Sequence, residues 1–372
     1  MIQNKAYKIR VYPNEKQKQI IDNNIGSARF VFNYFLNVRI EKYKDNKESF
    51  GYNLCSAELT KLKKLDEYSW LKQSDSTSLQ QSLKDLDLAY SKFFDGIKKG
   101  KDVGFPKFKS KRKAKLSYRV VMSINIINNT IKLPKLGIIK SSHNFNLSKI
   151  EKINNATISK SRSGKYFVSL SCEVDVKVKH HTNKQVGVDL GIKELATLSD
   201  GVVINNPKYY RKYEKRLVKQ QRKFSKMKAG SSNREKQRVK VTRLHEKISN
   251  CRVDYINKFT NQLVTNYDTI VIEDLNVSGM VKNHKLAKSI SDASFSEIRR
   301  QLEYKCKWYG KELIIINRFF PSSKACSGCG NIKSDLKLSD REYVCEECGL
   351  SIDRDLNASI NILTVGTTGL AC

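Results

Sequence analysis

Residues 5–12 alternate polar and apolar positions and stop at Pro13, which predicts a strand. From residue 14 the period becomes helical: over 14–45, Ile20, Ile21, Ile25, Ala28, Val31, Phe32 and Phe35 fall on one broad face. Two further helical stretches follow at about 55–66 and 76–98. The second carries Leu79, Leu83, Leu86, Ala89, Phe93 and Phe94, so a small helical bundle is expected. The run Gly104-Phe105-Pro106-Lys107-Phe108-Lys109 breaks the helices. It reads either as a solvated linker or as a loop that tracks phosphates and offers a stacking aromatic. From about 117 to 178 the pattern turns to strands, clearest at 118–121 and 165–170, with turns at Asn128-Asn129 and Ser163-Gly164. The first strand is expected to join this sheet, with the helices inserted between.

Beyond residue 180 the apolar runs acquire isolated acids. Val186-Gly187-Val188-Asp189-Leu190-Gly191 is an apolar strand with one carboxylate at its centre. Strands of this kind are usually buried on both faces, where an unpaired carboxylate costs several kcal/mol unless it is protonated, paired or bound to metal. A glycine on either side lets backbone or ligand approach closely. The chain continues into a hairpin, Glu194–Leu198, with Asp200-Gly201 as its turn. In Asp268–Leu275 a second apolar run ends at Glu273 and follows a long amphipathic helix, which predicts parallel pairing. A third cluster, Asp353-Arg354-Asp355-Leu356-Asn357-Ala358, opens a C-terminal helix. Read singly, Asp353 or Asp355 is an N-cap worth about 1 kcal/mol. Read together, the acids fit a two-metal phosphodiesterase site, with Mg²⁺ ions about 3.5–4 Å apart. Three or four carboxylates suffice because Mg²⁺ keeps some of its waters. The strand-Asp-x-Gly pattern also opens sugar-kinase and actin-like ATPases. That alternative needs further Gly-rich phosphate loops; none convincing follows residue 201, and no G-x-x-x-x-G-K-[ST] loop is present.

Of nine cysteines, Cys55, Cys172, Cys251, Cys306 and Cys372 are scattered, a distribution that suits a reducing compartment. The other four form two C-x-x-C-G knuckles, Cys326/Cys329 and Cys345/Cys348, separated by fifteen residues. This is the spacing of a closed, structural four-thiolate zinc site; two redox pairs or two disulfides are the alternatives. The ribbon lies between Glu273 and Asp355, so loss of zinc is expected to misplace Asp355. Cys345→Ser is then expected to lose both zinc and any cleavage, and a zinc-free variant with full activity would overturn this.

Charge narrows the partner. With 70 Lys+Arg against 37 Asp+Glu, the 372-residue chain carries +33. Residues 208–250 alone hold 16 cations and three acids, Glu214, Glu235 and Glu246, in two expected helices split at 229–233. Tyr213, Leu217 and Phe224 line one, and Leu244, Ile248, Ile256 and Leu263 the other. These faces repel themselves unless polyanion sits against them. The charge is spread along the whole chain, which favours nucleic acid over a membrane surface. No apolar run reaches the roughly 18–20 residues of a membrane span, and the N-terminus lacks a signal-peptide stretch. A cytoplasmic protein of two or three domains, with no membrane partner, is expected.

Val188-Asp189-Leu190-Gly191-Ile192-Lys193, Ile272-Glu273-Asp274-Leu275, Pro321-Ser322-Ser323-Lys324 with the two knuckles, and Asp353-Arg354-Asp355-Leu356-Asn357-Ala358 together resemble the TnpB proteins of bacterial insertion sequences, compact relatives of type V CRISPR nucleases. Ser27-Ala28-Arg29-Phe30-Val31, Ser69-Trp70-Leu71, Leu79-Gln80 and Gly104-Phe105-Pro106 also fit, so the resemblance covers nearly the whole chain. It implies a multidomain α+β and α/β architecture. A β-barrel wedge domain (1–12 and 103–180) would be interrupted by a helical recognition domain (13–102). A RuvC-like, ribonuclease H-type nuclease domain (181–320 and 350–372) would follow, with an inserted zinc ribbon (321–349). It implies catalytic, magnesium-binding acids at Asp189, Glu273 and Asp355, with Mn²⁺ as a substitute and Asp353 structural. It also implies RNA-guided cleavage of double-stranded DNA beside a short adjacent motif. The guide would be a transcript from the transposon end, held by a monomer with one RNA. A guide–target heteroduplex would use the charge at 208–250 and 101–116. Tyr52, Ser76 and Gln80 fall where adjacent-motif reading is expected, Gln being suited to bidentate adenine contact, and Lys107 and Lys109 are further candidate contacts. The rivals are an unguided resolvase or transposase of the same fold and a non-catalytic zinc protein that binds nucleic acid.

Overall fold

In the computed structural model, which describes residues 1–142, 150–337 and 339–369, the N-terminal alternation becomes β1 (Ile2–Tyr12), with Ile9 and Val11 buried. A capping box starts α1 (Glu15–Asn46): the Asn14 side chain accepts from the Gln17 backbone N–H, and the Gln17 side chain accepts from that of Asn14. There follow α2 (Tyr52–Leu62), a 3₁₀ segment at Asp66–Gln73, and α3 (Ser76–Lys98), capped by Asp75. The expected second helix therefore begins earlier and stops at Leu62. Val31, Phe35, Leu59, Leu71, Leu83 and Leu86 bury against one another and join these helices.

The strands β2 (Ser117–Val120), β3 (Asn125–Ile127), β4 (Thr130–Leu133), β5 (Gly137–Ser141), β6 (Ile150–Lys160) and β7 (Tyr166–Asp175) complete a seven-stranded sheet with β1. Its order is β2-β6-β7-β1-β5-β4-β3. β1 pairs antiparallel with β7 from Ile2↔Asp175 to Val11↔Tyr166, and with β5 at Val11 and Tyr12. The helices are thus an insertion between two parts of one sheet. Asn128 and Gly164 turn two hairpins with φ of 50° and 86°, a region open to Gly and tolerated by Asn. No pairing among the described residues joins the edge strands β2 and β3. The 143–149 part of the expected strand region, and Cys372, lie outside the described residues.

The chain divides at this point into two units, Met1–Asp175 and Val176–Cys372. The second opens with β8 (Gln185–Asp189), β9 (Glu194–Leu198) and β10 (Val203–Asn205), the expected hairpin turning at Gly201 with φ of 86°. Two basic helices follow, α4 (Tyr209–Ser225) and α5 (Ser232–Asn266), joined through Leu217, Leu244 and Ile248. Then come β11 (Thr269–Glu273), α6 (Val277–Met280), α7 (Ala287–Ala293), α8 (Phe295–Tyr309) and β12 (Glu312–Ile316). The unit ends with β13 (Glu342–Val344), β14 (Ser351–Asp353) and α9 (Arg354–Thr368).

Five strands form the order β10-β9-β8-β11-β12, with β8, β11 and β12 parallel. Successive residues of β11 face opposite ways. Ile270 and Ile272 pack on the face covered by α5 and α8, and Val271 packs with Ile362 of α9 on the other. This three-layer arrangement sets both strand ends and the α9 tip in fixed positions. Among the described residues, no helix is long and apolar enough to cross a membrane.

Candidate functional site

Asp189 is the last residue of β8 and Glu273 the last of β11, and the parallel register pairs Ile272 with Val188. Both carboxylates therefore emerge at the same, C-terminal edge of the sheet, where open α/β sheets bind ligands. The third acid arrives on α9. That helix lies close on β8 because residue 187 is glycine: a Cβ there would overlap the Ser359 carbonyl oxygen and sit 2.7 Å from the Leu363 nitrogen. Both obstacles are backbone, so no side-chain rearrangement could relieve them. Asp353 caps the helix, its Oδ1 accepting from the Asp355 and Leu356 N–H groups at 2.9 and 3.0 Å. It serves the helix end, while Asp355 stands in the first turn.

The electrostatics tie the three acids together. The Asp189 carboxyl is pushed up to about 7, first by burial, then by the negative charges of Glu273 and Asp355. Glu273 is also raised by burial, opposed by the Ser322 hydroxyl, which donates to its Oε1 at 2.6 Å. Arg341 approaches Asp355 only to 3.9 Å. Next to Glu273, Asp274 is paired with both Arg299 and Arg318 and is held below the usual carboxylate range by them. Neighbouring acids thus have opposite states: Asp274 is neutralised by arginines, whereas Asp189 and Glu273 face one another.

The zinc pattern is brought together in space. The ligand atoms of Cys326, Cys329, Cys345 and Cys348 all lie within 4.8 Å of one another, the only group of three or more candidate metal ligands among the described residues to do so. Sulfur separations of 3.6 Å for Cys326–Cys348 and Cys329–Cys345 match the edge of a tetrahedron with Zn–S near 2.3 Å, roughly 3.8 Å. Backbone N–H groups of Cys348 and Glu347 lower the Cys345 thiol, whereas burial and the neighbouring sulfurs raise Cys329, as expected of four thiols that share one site. Asp189, Glu273 and Asp355 do not form a group of that kind among the described residues.

Several participants were not foreseen. Asn357 and Asn361, one turn apart and buried, stitch the first knuckle to α9: both donate to the Ala325 carbonyl at 2.7 Å, Asn361 also to that of Ser322, and Asn357 accepts from the Ser327 N–H. The Ser322 contact to Glu273 lies in the same segment. The i, i+4 spacing of the two asparagines is visible in the sequence, but their backbone partners are not. A cavity of about 300 Å³ next to Ile192 is walled by Lys193, Lys208, Arg211, Lys288 and Arg341. Its acid, Asp292, is engaged with the Tyr210 N–H. A second cavity, between α4 and α5, is lined by Arg216, Lys240, Arg243 and Lys247 with no carboxylate.

In the first unit the candidate contacts differ in availability. Gln80 uses its carbonyl to accept from the Tyr52 and Ser56 hydroxyls at 3.0 and 3.1 Å, which leaves its amide N–H groups to donate. Ser76 opens α3 and is exposed, as is Lys107. Lys109 is turned inward: its ammonium lies 3.5 Å from the Phe32 ring centroid, its pKa is lowered by burial, and Asn33 holds its backbone on both sides. Phe105 packs edge-on against Tyr90 and Phe93.

Comparison with known proteins supplies context. Residues 169–284 match a family model described as "Probable transposase", residues 295–362 one described as "Cas12f1-like, TNB domain", and residues 1–48 one described as "Helix-turn-helix domain". In this chain residues 1–48 form a strand and a single long helix. The chain is 39% identical, over 99% of its length and 90% of the relative's, to a Streptomyces pristinaespiralis protein named "Putative RNA-guided DNA endonuclease". It is 35% identical, over 99% of its length and 93% of the relative's, to the Escherichia coli protein "Putative RNA-guided DNA endonuclease InsQ". Its fold is similar to the protein in a Cas12f1–sgRNA–target DNA complex, with TM-score 0.50, 13% identity, and coverage of 97% of this chain and 98% of the other. It is also similar to the mini-RNA-guided endonuclease CRISPR-Cas phi3, with TM-score 0.52, 10% identity, and coverage of 99% and 93%.

Proposed function

The chain belongs to the TnpB family, and from that premise we propose that it is an RNA-guided DNA endonuclease whose cutting centre is Asp189, Glu273 and Asp355. The observation that carries this reading is the like-charged carboxylate cluster at the C-terminal edge of the parallel strands, with Asp189 raised to about 7. Hard oxygen donors crowded in this way suit Mg²⁺, which would hold Asp189 ionised at neutral pH. When bound, a pair of such ions activates water and stabilises the leaving oxygen of a phosphodiester. The chain's own contribution is positional. Ser322 orients Glu273, Gly187 admits α9 and so Asp355, and Asp353 secures the first turn of that helix. The four cysteines would hold a structural zinc, and Asn357 and Asn361 would pass its order on to α9.

The guide RNA and its target heteroduplex would lie along basic surfaces such as the α4–α5 cavity lined by Arg216, Lys240, Arg243 and Lys247. Double-stranded DNA would be checked beside an adjacent motif by Tyr52, Ser76 and the donor side of Gln80, with Lys107 as a phosphate contact. Sequencing the RNA that co-purifies with the protein, expressed beside its flanking element DNA, tests the reading. One discrete RNA with a fixed scaffold and a variable end, directing Mg²⁺-dependent cutting of matching DNA, is expected. DNA cutting with no enriched RNA would replace the guided reading with an unguided nuclease of the same fold.

A further inference from the structure

A cavity of about 750 Å³ in the first unit lies between α1, the 3₁₀ segment and the strands. Its walls include Arg29, Phe30 and Trp70, residues for which the reading above has no use. Arg29 is half-buried and lines this cavity and an adjoining one of about 290 Å³. The carboxylates on these walls are taken by other cations: Asp22, which lines the larger cavity, by Lys160 at 2.8 Å, and Asp85, which lines the smaller, by Arg119; nearby, Asp87 pairs with Arg39 at 3.2 Å. Among the described residues, no hydrogen bond, ion pair or ring contact engages the Arg29 guanidinium. A half-buried cation without a counter-charge loses hydration and gains nothing back, which is the arrangement of a preorganised anion site. Lys111, exposed on the same rim, adds a second cation.

The cavity also has aromatic lining. The Trp70 ring stays 39% exposed and is braced edge-on by Phe30 at 5.2 Å, and Phe30 is itself packed on Tyr34 and Tyr68. The floor is polar and already satisfied: Ser74 donates to Ser27 at 2.6 Å, and Ser27 to the Asn23 carbonyl at 2.9 Å. A rigid ring, an unpaired guanidinium and a polar floor around one cavity match a nucleotide, with its base against the ring and its phosphate at the cation.

We propose that this cavity seats one nucleotide of a bound nucleic-acid strand, its phosphate on Arg29 and Lys111 and its base against Trp70. The proposal rests on the nuclease reading only in taking the ligand to be nucleic acid; the strand is either the guide RNA or the target DNA. The test measures Kd against salt for two probes, the co-purifying RNA and, with the RNA-loaded protein, a matching DNA duplex. Arg29→Gln is expected to weaken one probe at least about tenfold and to lower the salt slope by about one counterion. Trp70→Ala is expected to weaken the same probe about fivefold or more with the slope unchanged. Loss confined to RNA assigns the guide, and loss confined to DNA assigns the target. Both variants binding both probes within twofold of wild type overturns the proposal. Should Arg29→Gln fail to fold, Lys111→Ala combined with Trp70→Ala, both at exposed positions, decides the same question. The readout is binding, so failure of the carboxylate reading would show separately, as cutting that survives Asp189→Ala.

Discussion

The two ends of the parallel strands in the second unit carry acids in opposite conditions. At the N-terminal end, Asp268 precedes β11 and accepts from the Thr182 and Asn183 N–H groups at 2.8 and 2.6 Å. It also pairs with Lys311, whose fully buried ammonium donates to the His180 carbonyl as well. These hydrogen bonds hold Asp268 well below the usual carboxylate range. At the C-terminal end, six residues or fewer along the same strands, Asp189 and Glu273 have no cation at hydrogen-bond distance among the described residues, and both are raised. The first end is built so that charge closes the sheet. The second carries an electrostatic cost that the first avoids.

Substitutions at each end should separate these roles. Asp189→Ala, or Glu273→Ala, is expected to lower cleavage about a thousandfold or more, since metal stabilisation of the transition state amounts to several kcal/mol. Nucleic-acid binding, measured by filter retention, should stay within about twofold of wild type. Near-normal cutting would remove the contrast between the two ends. Lys311→Met should do the reverse: a melting temperature lower by about 5–10 °C, with cleavage by the folded fraction at 25 °C retained. A catalytic defect without loss of stability would mean that the N-terminal end is not merely structural.

Gly187→Ala tests the bridge between fold and site. Its methyl would displace α9, at about 1–3 kcal/mol of stability, and cleavage should fall more than stability because Asp355 moves with the helix; urea melts beside single-turnover assays would show it. The smallest effect is in pH dependence, and its sign differs between the ends. The Asp189 carboxyl binds its proton more tightly folded than unfolded, so the metal-free protein should lose stability as pH rises from about 4 to about 7. Asp189→Asn abolishes this loss, leaving the variant the more stable by about 1–3 kcal/mol above pH 7 and little different at pH 4. Asp268 is shifted the other way: its contribution is present above the unfolded carboxylate pKa and is lost as pH falls through the lowered folded value. Identical pH profiles for Asp189→Asn and Asp268→Asn would refute the distinction.

Legibility in the sequence followed the range of the interaction. An acid inside an apolar strand can be read from its immediate neighbours, and so can a C-x-x-C knuckle. β8, β11, the four-cysteine cluster and the helical insertion accordingly stand where patterning puts them. Side chains whose partners are distant backbone atoms were silent: Asn357 and Asn361 look like ordinary helix polar residues until Ala325 lies against them. Lys109 illustrates the converse. Its basic context reads as a phosphate contact, and only the structure adds that its ammonium lies 3.5 Å from the Phe32 ring centroid, because local charge density carries no information about such a ring. Gln80 likewise offers both halves of an amide on paper and only the donor half once Tyr52 and Ser56 occupy its carbonyl.

By itself, then, the sequence pointed to the elements, the two cysteine knuckles, a polyanionic partner and the candidate acids, because periodicity, ligand spacing and charge are properties of short stretches of chain. Only the tertiary structure decided that Asp189 and Glu273 share a strand edge, that α9 lies close enough through Gly187 to bring Asp355 toward them, and that Arg29 has no counter-ion among the described residues and lines one cavity with Trp70. Those outcomes depend on which backbones approach, and close approach is fixed by packing between segments tens to hundreds of residues apart.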